Sequence, residues 1–163
     1  MAGTRRGATL DELRAIYEGR LAELTRVATA IVGDNQAAQD VVQEAFVRAV
    51  RKRETFDGRG DLNGWVWRIV VNAARDARAR RQEEGEPSAS EPASVGQDVR
   101  REVVREAIER LPERQRIVLF LRYYADLDYR GIAAAASISE GTVAATLHSA
   151  HDRLRTLLSE VPR

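Results

Sequence analysis

Residues 82–98 contain five acidic side chains, no basic one, and little besides glycine, proline, serine and alanine. A stretch with so little to bury cannot offset the entropy of ordering itself, so it reads as an acidic flexible linker. It divides the chain of 163 residues into two segments, 9–81 and 99–160, each the size of a small domain. Charge follows the same division. Residues 1–81 hold 15 basic and 11 acidic side chains and residues 99–163 hold 11 and 9, so the formal net charge of +1 conceals two mildly basic halves around an acidic middle. Aromatic residues make up 6% of the chain, which limits the cores largely to Leu, Val, Ile and Ala and argues against many strands. The expected fold class is all-α, two small helical domains joined by the linker.

In the first segment, Thr9 and Glu12 have capping-box spacing, and Leu10, Leu13, Tyr17, Leu21, Leu24, Val27 and Ile31 recur at helical intervals until Gly33. Asp34 is placed to cap a second helix with Val42, Ala45, Phe46 and Ala49 buried and Asp40, Glu44, Val47 and Arg51 opposite. After turn residues 55–60, a third helix begins near Asp61 with Leu62, Trp65, Val66, Ile69, Val70, Ala73 and Ala77 on one face. At about 100° per residue, Trp67, Arg68, Val71, Arg75 and Arg78 project away from that stripe, and Arg80 and Arg81 extend the positive charge. Guanidinium groups pair phosphates and an exposed indole stacks on an unpaired base, so this face suits nucleic acid. A solvated arginine face over core tryptophans is the competing reading, with Trp65 as the packing residue.

The second segment ends in the framework of a helix-turn-helix. A short helix follows Asp128, residues 137–139 form the turn, and a longer helix runs from Glu140 to Leu158, with Val143, Leu147, Ala150, Leu154 and Leu157 as its buried stripe. The helix that would enter a DNA groove carries no lysine or arginine between Ser139 and Asp152. Phosphate contacts by such residues normally supply most of the affinity of a DNA-binding module. His148 and His151 lie three residues apart with no third ligand or acid/base partner in the pattern, so neither a metal, a cofactor nor a catalytic site is expected. There is no apolar run of about 18 residues and no secretory leader pattern, from which a cytoplasmic, non-membrane protein is expected.

The residues at 40–46 (Asp-Val-Val-Gln-Glu-Ala-Phe), 56–59 (Phe-Asp-Gly-Arg) and 65–69 (Trp-Val-Trp-Arg-Ile), with Asn72 and Asp76, resemble the N-terminal domain of bacterial sigma factors of the extracytoplasmic-function group. Residues 111–116, 119–123, Tyr129, 132–133, 138–143 and 147–148 resemble that family's C-terminal helix-turn-helix domain. The resemblance implies a subunit, monomeric when free, that binds core RNA polymerase, directs it to promoter DNA and helps open the duplex, with an anti-sigma factor as a further partner. It assigns polymerase binding to Asp40, Val41, Gln43, Glu44, Val47, Arg48 and Arg51. Minus-ten DNA falls to Arg59, Trp65, Trp67, Arg68, Asn72, Arg75, Arg78, Arg80 and Arg81. Minus-thirty-five DNA falls to Ser139, Glu140, Thr142, Val143, Ala145, Thr146, His148 and Arg153. In related sigma factors the connecting segment passes through the polymerase's nucleic-acid channels, where acidic residues imitate a polyanion; a plain soluble linker is the competing reading.

The sequence departs from the family pattern where the recognition helix is commonly basic: Ala144, Thr146, Ser149 and His151 stand there, with Gly131 in place of glutamate and Ser137 in place of glycine. This leaves room for a divergent polymerase-binding regulator whose C-terminal domain binds a protein rather than DNA. A free-standing repressor would need DNA affinity that the charge pattern does not offer, and an enzyme lacks any catalytic constellation.

Overall fold

The computed structural model describes residues 7–85 and 99–160. Most of the proposed linker, residues 86–98, lies outside the described residues. Seven helices account for nearly all of the described chain, and no strand occurs among those residues. They are α1 (Leu10–Val32), α2 (Asn35–Lys52), α3 (Leu62–Glu83), α4 (Val99–Glu109), α5 (Glu113–Tyr123), α6 (Tyr129–Ala136) and α7 (Glu140–Ser159), with a single 3-10 turn at Arg53–Thr55.

Helix starts follow local side-chain chemistry. The Thr9 hydroxyl accepts from the Glu12 amide while Glu12 accepts from the Thr9 amide, so the expected capping box is complete. Asp34, Asp61, Asp128 and Ser139 cap α2, α3, α6 and α7 in the same way, each satisfying one of the free amides of a first turn. Helix α1 stops at Gly33, whose φ of 88° is left-handed and whose amide bonds to the Thr29 carbonyl. The α6–α7 turn closes on Ser137 in the left-handed region, φ 56° and ψ 45°, a conformation that strains a non-glycine residue by about 1–2 kcal/mol.

Helices α1, α2 and α3 pack on one another, and α5, α6 and α7 do the same, with α4 against α7. The two groups meet. Helix α3 lies against α6 as well as against α1 and α2, α1 touches α5, and the buried apolar residues of both groups form one continuous cluster. At Gly64 of α3 an added Cβ would stand 3.0 Å from the Cβ of Ala134 on α6, so the absence of a side chain there permits the close approach. The Arg20 guanidinium donates to the Ala125 carbonyl at 3.0 Å, tying α1 to the loop after α5.

This packing changes the expected faces. Val66, Val70, Ala73 and Ala77 are buried as the periodicity implies, but Gly64, Trp67, Val71 and Ala74 are buried too. Two packed sides therefore cover more than half of the circumference of α3. On α1, Leu10 and Leu21 are exposed although they share the helical spacing of the core residues. Leu10 sits in the first turn and Leu21 at the edge of the stripe.

Candidate nucleic-acid and partner interface

Three exposed faces carry the residues singled out in the sequence. On α2, Asp40, Gln43, Glu44, Val47 and Arg51 point to solvent. Val47 is 49% exposed, an apolar side chain surrounded by charge. Arg48 is half-buried; it pairs with Glu44 on its own helix and lies 3.8 Å from Asp76 of α3, which ties the two outer faces together. Val41 does not belong to this surface. It is 4% exposed because it lies one helical step toward the side that packs with Ala38 and Ala45, so its side chain is part of the core.

The second face is what remains of α3 once both packed sides are subtracted. Arg68, Asn72, Arg75 and Asp76 are exposed there, and Trp65 is half-buried at the edge. Trp65 leans on Phe56 at 5.7 Å between ring centroids, in a loop where the Asp57 carboxylate accepts from the Arg59 amide at 2.8 Å and Arg59 itself is exposed. Trp67 corrects the sequence reading: it is wholly buried, with no acceptor for its indole N–H among the described residues. The apolar stripe on the opposite side identified only one of the two packed faces. Asn72, Arg75, Asp76 and Arg78 line a recess of about 690 Å³ with Glu113 of α5, and Arg75 pairs with Glu113 at 3.6 Å. Arg80 is exposed, whereas Arg81 is half-buried and 3.8 Å from Asp34, joining the end of α3 to the start of α2.

The third face is the N-terminal half of α7. Ser139 accepts from the Thr142 amide at 3.1 Å, and the hydroxyls of the two residues bond at 2.8 Å. Glu140, Ala145 and His148 are exposed, Thr146 is half-buried, and Arg153 is exposed two turns further along. Val143 is fully buried against the rest of the domain and is withdrawn from the DNA-facing set. His148 lies 3.2 Å from Asp152, which also binds Arg155, and His151 bonds to the Tyr123 hydroxyl at 2.8 Å. The surface is close to neutral, as its sequence implied.

Sequence reasoning missed the clasp between Arg75 and Glu113. No local signal reports it, since the partners belong to different helical groups.

Two family models match the chain in consecutive order: sigma-70 region 2 over residues 16–84 and sigma-70 region 4 over residues 101–162. The ECF RNA polymerase sigma factor SigL of Mycobacterium tuberculosis is 31% identical over 159 residues, covering 91% of this chain and 90% of the relative. The chain belongs to the extracytoplasmic-function group of the sigma-70 family. RNA polymerase sigma-H factor of Pseudomonas aeruginosa is also 31% identical, over 81% of this chain and 78% of its own length. Among solved structures, the sigma factor RpoE of Bartonella quintana, crystallised with the anti-sigma factor NepR, matches with a TM-score of 0.70 at 22% identity, covering 94% of this chain and all of that one. CnrH in complex with the cytosolic domain of CnrY matches with a TM-score of 0.70 at 21% identity, covering 95% of this chain and 92% of that one. The sigma factor is thus a promoter-directing subunit of RNA polymerase, with core polymerase and promoter DNA as its partners. Sigma factors are not enzymes, and among the described residues no helix is long and apolar enough to cross a membrane.

Proposed function

We propose that this sigma factor divides its work between residues 9–81, which bind core polymerase and open the minus-ten element, and residues 99–160, which lie at the minus-thirty-five element. The acidic segment that follows Glu83, two residues beyond the expected start of the linker, connects them, and the protein acts in the cytoplasm. The observation that carries this reading is the adjacency of two exposed faces, that of α2 around Val47 and that of α3 around Asn72, linked by Arg48 and Asp76. On α2, Asp40, Gln43, Glu44, Val47, Arg48 and Arg51 form the polymerase contact, an apolar side chain ringed by charges. On α3 and its preceding loop, Arg59, Arg68, Arg75, Arg78 and Arg80 hold the phosphates while Asn72 and Trp65 meet bases released by melting. Stacking averages about 1.4 kcal/mol per step, so capturing a few bases offsets the cost of opening without covalent chemistry.

The face of α7 meets DNA through Ser139, Thr142, Ala145, Thr146, His148 and Arg153, aided by its first-turn amides, while Glu140 repels phosphate. With so few cations, this contact is weak alone and works because polymerase holds the domain near the promoter at high effective concentration. An anti-sigma factor, as in the solved RpoE–NepR complex, fits as a regulatory partner.

Replacing Arg68 and Asn72 together by Ala should leave core binding within about twofold while lowering open-complex formation at least roughly tenfold, each tenfold being about 1.4 kcal/mol. Permanganate footprinting beside a core pull-down measures both. Equal losses in the two assays would remove α3 from the promoter-opening role.

A further inference from the structure

Two hollows meet at Arg78, near the end of α3. One is the recess of about 690 Å³ that Glu113 shares with Asn72 and Arg75, and the other is an open groove of about 1640 Å³ between the ends of α1 and α3 and helices α4 and α5. Seven arginines line the groove against one carboxylate, Glu109. At the junction Arg78 of α3 stands close enough to Arg116 of α5 for their like charges to repel, and both are half-buried. The carboxylates around them are engaged elsewhere. Glu113 pairs with Arg75 at 3.6 Å, Glu109 with Arg105 at 4.0 Å and Asp76 with Arg48 at 3.8 Å. Arg116 is anchored by donating to the Glu109 carbonyl at 3.0 Å, whereas Arg78 has no hydrogen bond or ion pair among the described residues. Burial, and then the like charge of Arg78, hold the Arg116 guanidinium below its ordinary range, as expected for a cation that its neighbours do not fully neutralise.

We infer that a compact phosphate-class polyanion, of the size and charge of diphosphate, binds between Arg78 and Arg116 and bridges the two helical groups. Two guanidinium forks each match one phosphoryl group with paired N–H···O bonds, which a pair of lysines would meet only as point charges. Partial burial strengthens these contacts relative to open water and lessens their screening by salt. A nucleoside would add little. The recess has no aromatic lining, and in the groove Phe120 is buried and stacked on Tyr124 at 5.3 Å and 5° rather than presented to a base. The ligand is therefore recognised through its phosphates alone. A bridge from α3 to α5 lies beside the Arg75–Glu113 clasp and reinforces it. The regulatory consequence rests on the sigma reading: the occupied bridge withholds Arg75 and Arg78 from promoter DNA. The binding itself does not depend on that reading.

The test is isothermal titration calorimetry of the full chain with sodium pyrophosphate at fixed ionic strength, which should show saturable binding at a single site per chain. Arg78→Gln and Arg116→Gln should each weaken it at least roughly tenfold. Arg114→Gln, which removes the same charge from an exposed position of α5, should change it less than roughly twofold. Half-buried arginines also support the fold, so thermal melts supply a second measurement. Pyrophosphate should raise the midpoint of the parent and of Arg114→Gln but of neither other variant, whatever their starting stability. Absence of saturation, equal losses in all three variants, or dependence on only one of Arg78 and Arg116 overturns the inference. ATP binding at least roughly tenfold tighter than pyrophosphate, with the same arginine dependence, assigns the site to a nucleotide. Displacement of pyrophosphate by a short oligo-dT strand that depends on Arg116 as well as Arg78 assigns it to a nucleic-acid backbone, and either outcome rejects diphosphate. Retention of the parent on immobilised core polymerase without pyrophosphate tests the sigma reading separately, so the two failures are distinguishable.

Discussion

Trp65 and Trp67 lie two positions apart on α3, and a helix turns about 200° between them, so a single exposed face cannot present both. Trp67 is buried and Trp65 leans half-exposed on Phe56. The sequence ranks them the other way because Trp67 interrupts a face otherwise marked by arginines. The expected consequence is a split between stability and function. Trp67→Ala should destabilise the protein by about 3–5 kcal/mol in urea denaturation, the usual range for deleting a large core aromatic. Trp65→Ala should lower open-complex formation more than stability. A loss below about 1 kcal/mol for Trp67→Ala would place that indole outside the core. Val41 and Val143 teach the same lesson on a smaller scale: each sits within a stretch assigned to binding, yet its helical angle turns it inward.

Among the elements, what the sequence made legible was local. The capping box at Thr9 and Glu12, the cap at Asp34 and the stop at Gly33 are interactions within three or four residues, so their spacing alone announces them. The near-neutral face of α7 was equally legible, since it is a matter of which residues are present. Helix α2 displays a clear amphipathic division, and Val47 stands out on its polar side. Val47→Asp should leave the unfolding free energy within about 0.5 kcal/mol, as for most surface changes, while weakening core polymerase binding at least roughly tenfold. Surface plasmon resonance against immobilised core enzyme measures the second effect. Unchanged affinity would show that α2 binds through its charges alone. Leu10 and Leu21 mark the limit of periodicity, because spacing identifies a stripe but not how far along it the neighbouring helices extend.

At the level of the molecule, the two helical groups are joined by the α3–α6 contact, the Arg75–Glu113 clasp and the bond from Arg20 to the Ala125 carbonyl. The clasp occupies an arginine assigned to promoter DNA, so separation of the groups would free it. Gly64→Leu tests the contact. Leucine favours a helix over glycine by roughly 0.8 kcal/mol, yet its side chain would meet Ala134 where a Cβ alone stands at 3.0 Å. The variant should therefore keep its helix content in circular dichroism while its radius of gyration in small-angle scattering increases. An unchanged radius would mean that α6 shifts to accommodate the side chain. By itself the sequence determined the all-helical class, the start and stop of α1 and the start of α2, the acidic division of the chain, the family pattern and the neutrality of α7, because each depends on composition or on neighbours a few residues apart. Only the tertiary structure decided that α3 is packed on two sides, that Trp67 rather than Trp65 is buried, that Glu113 holds Arg75 and that arginines from distant helices line one groove. Those facts depend on which surfaces meet across the fold, and helical spacing describes each surface without naming the partner that covers it.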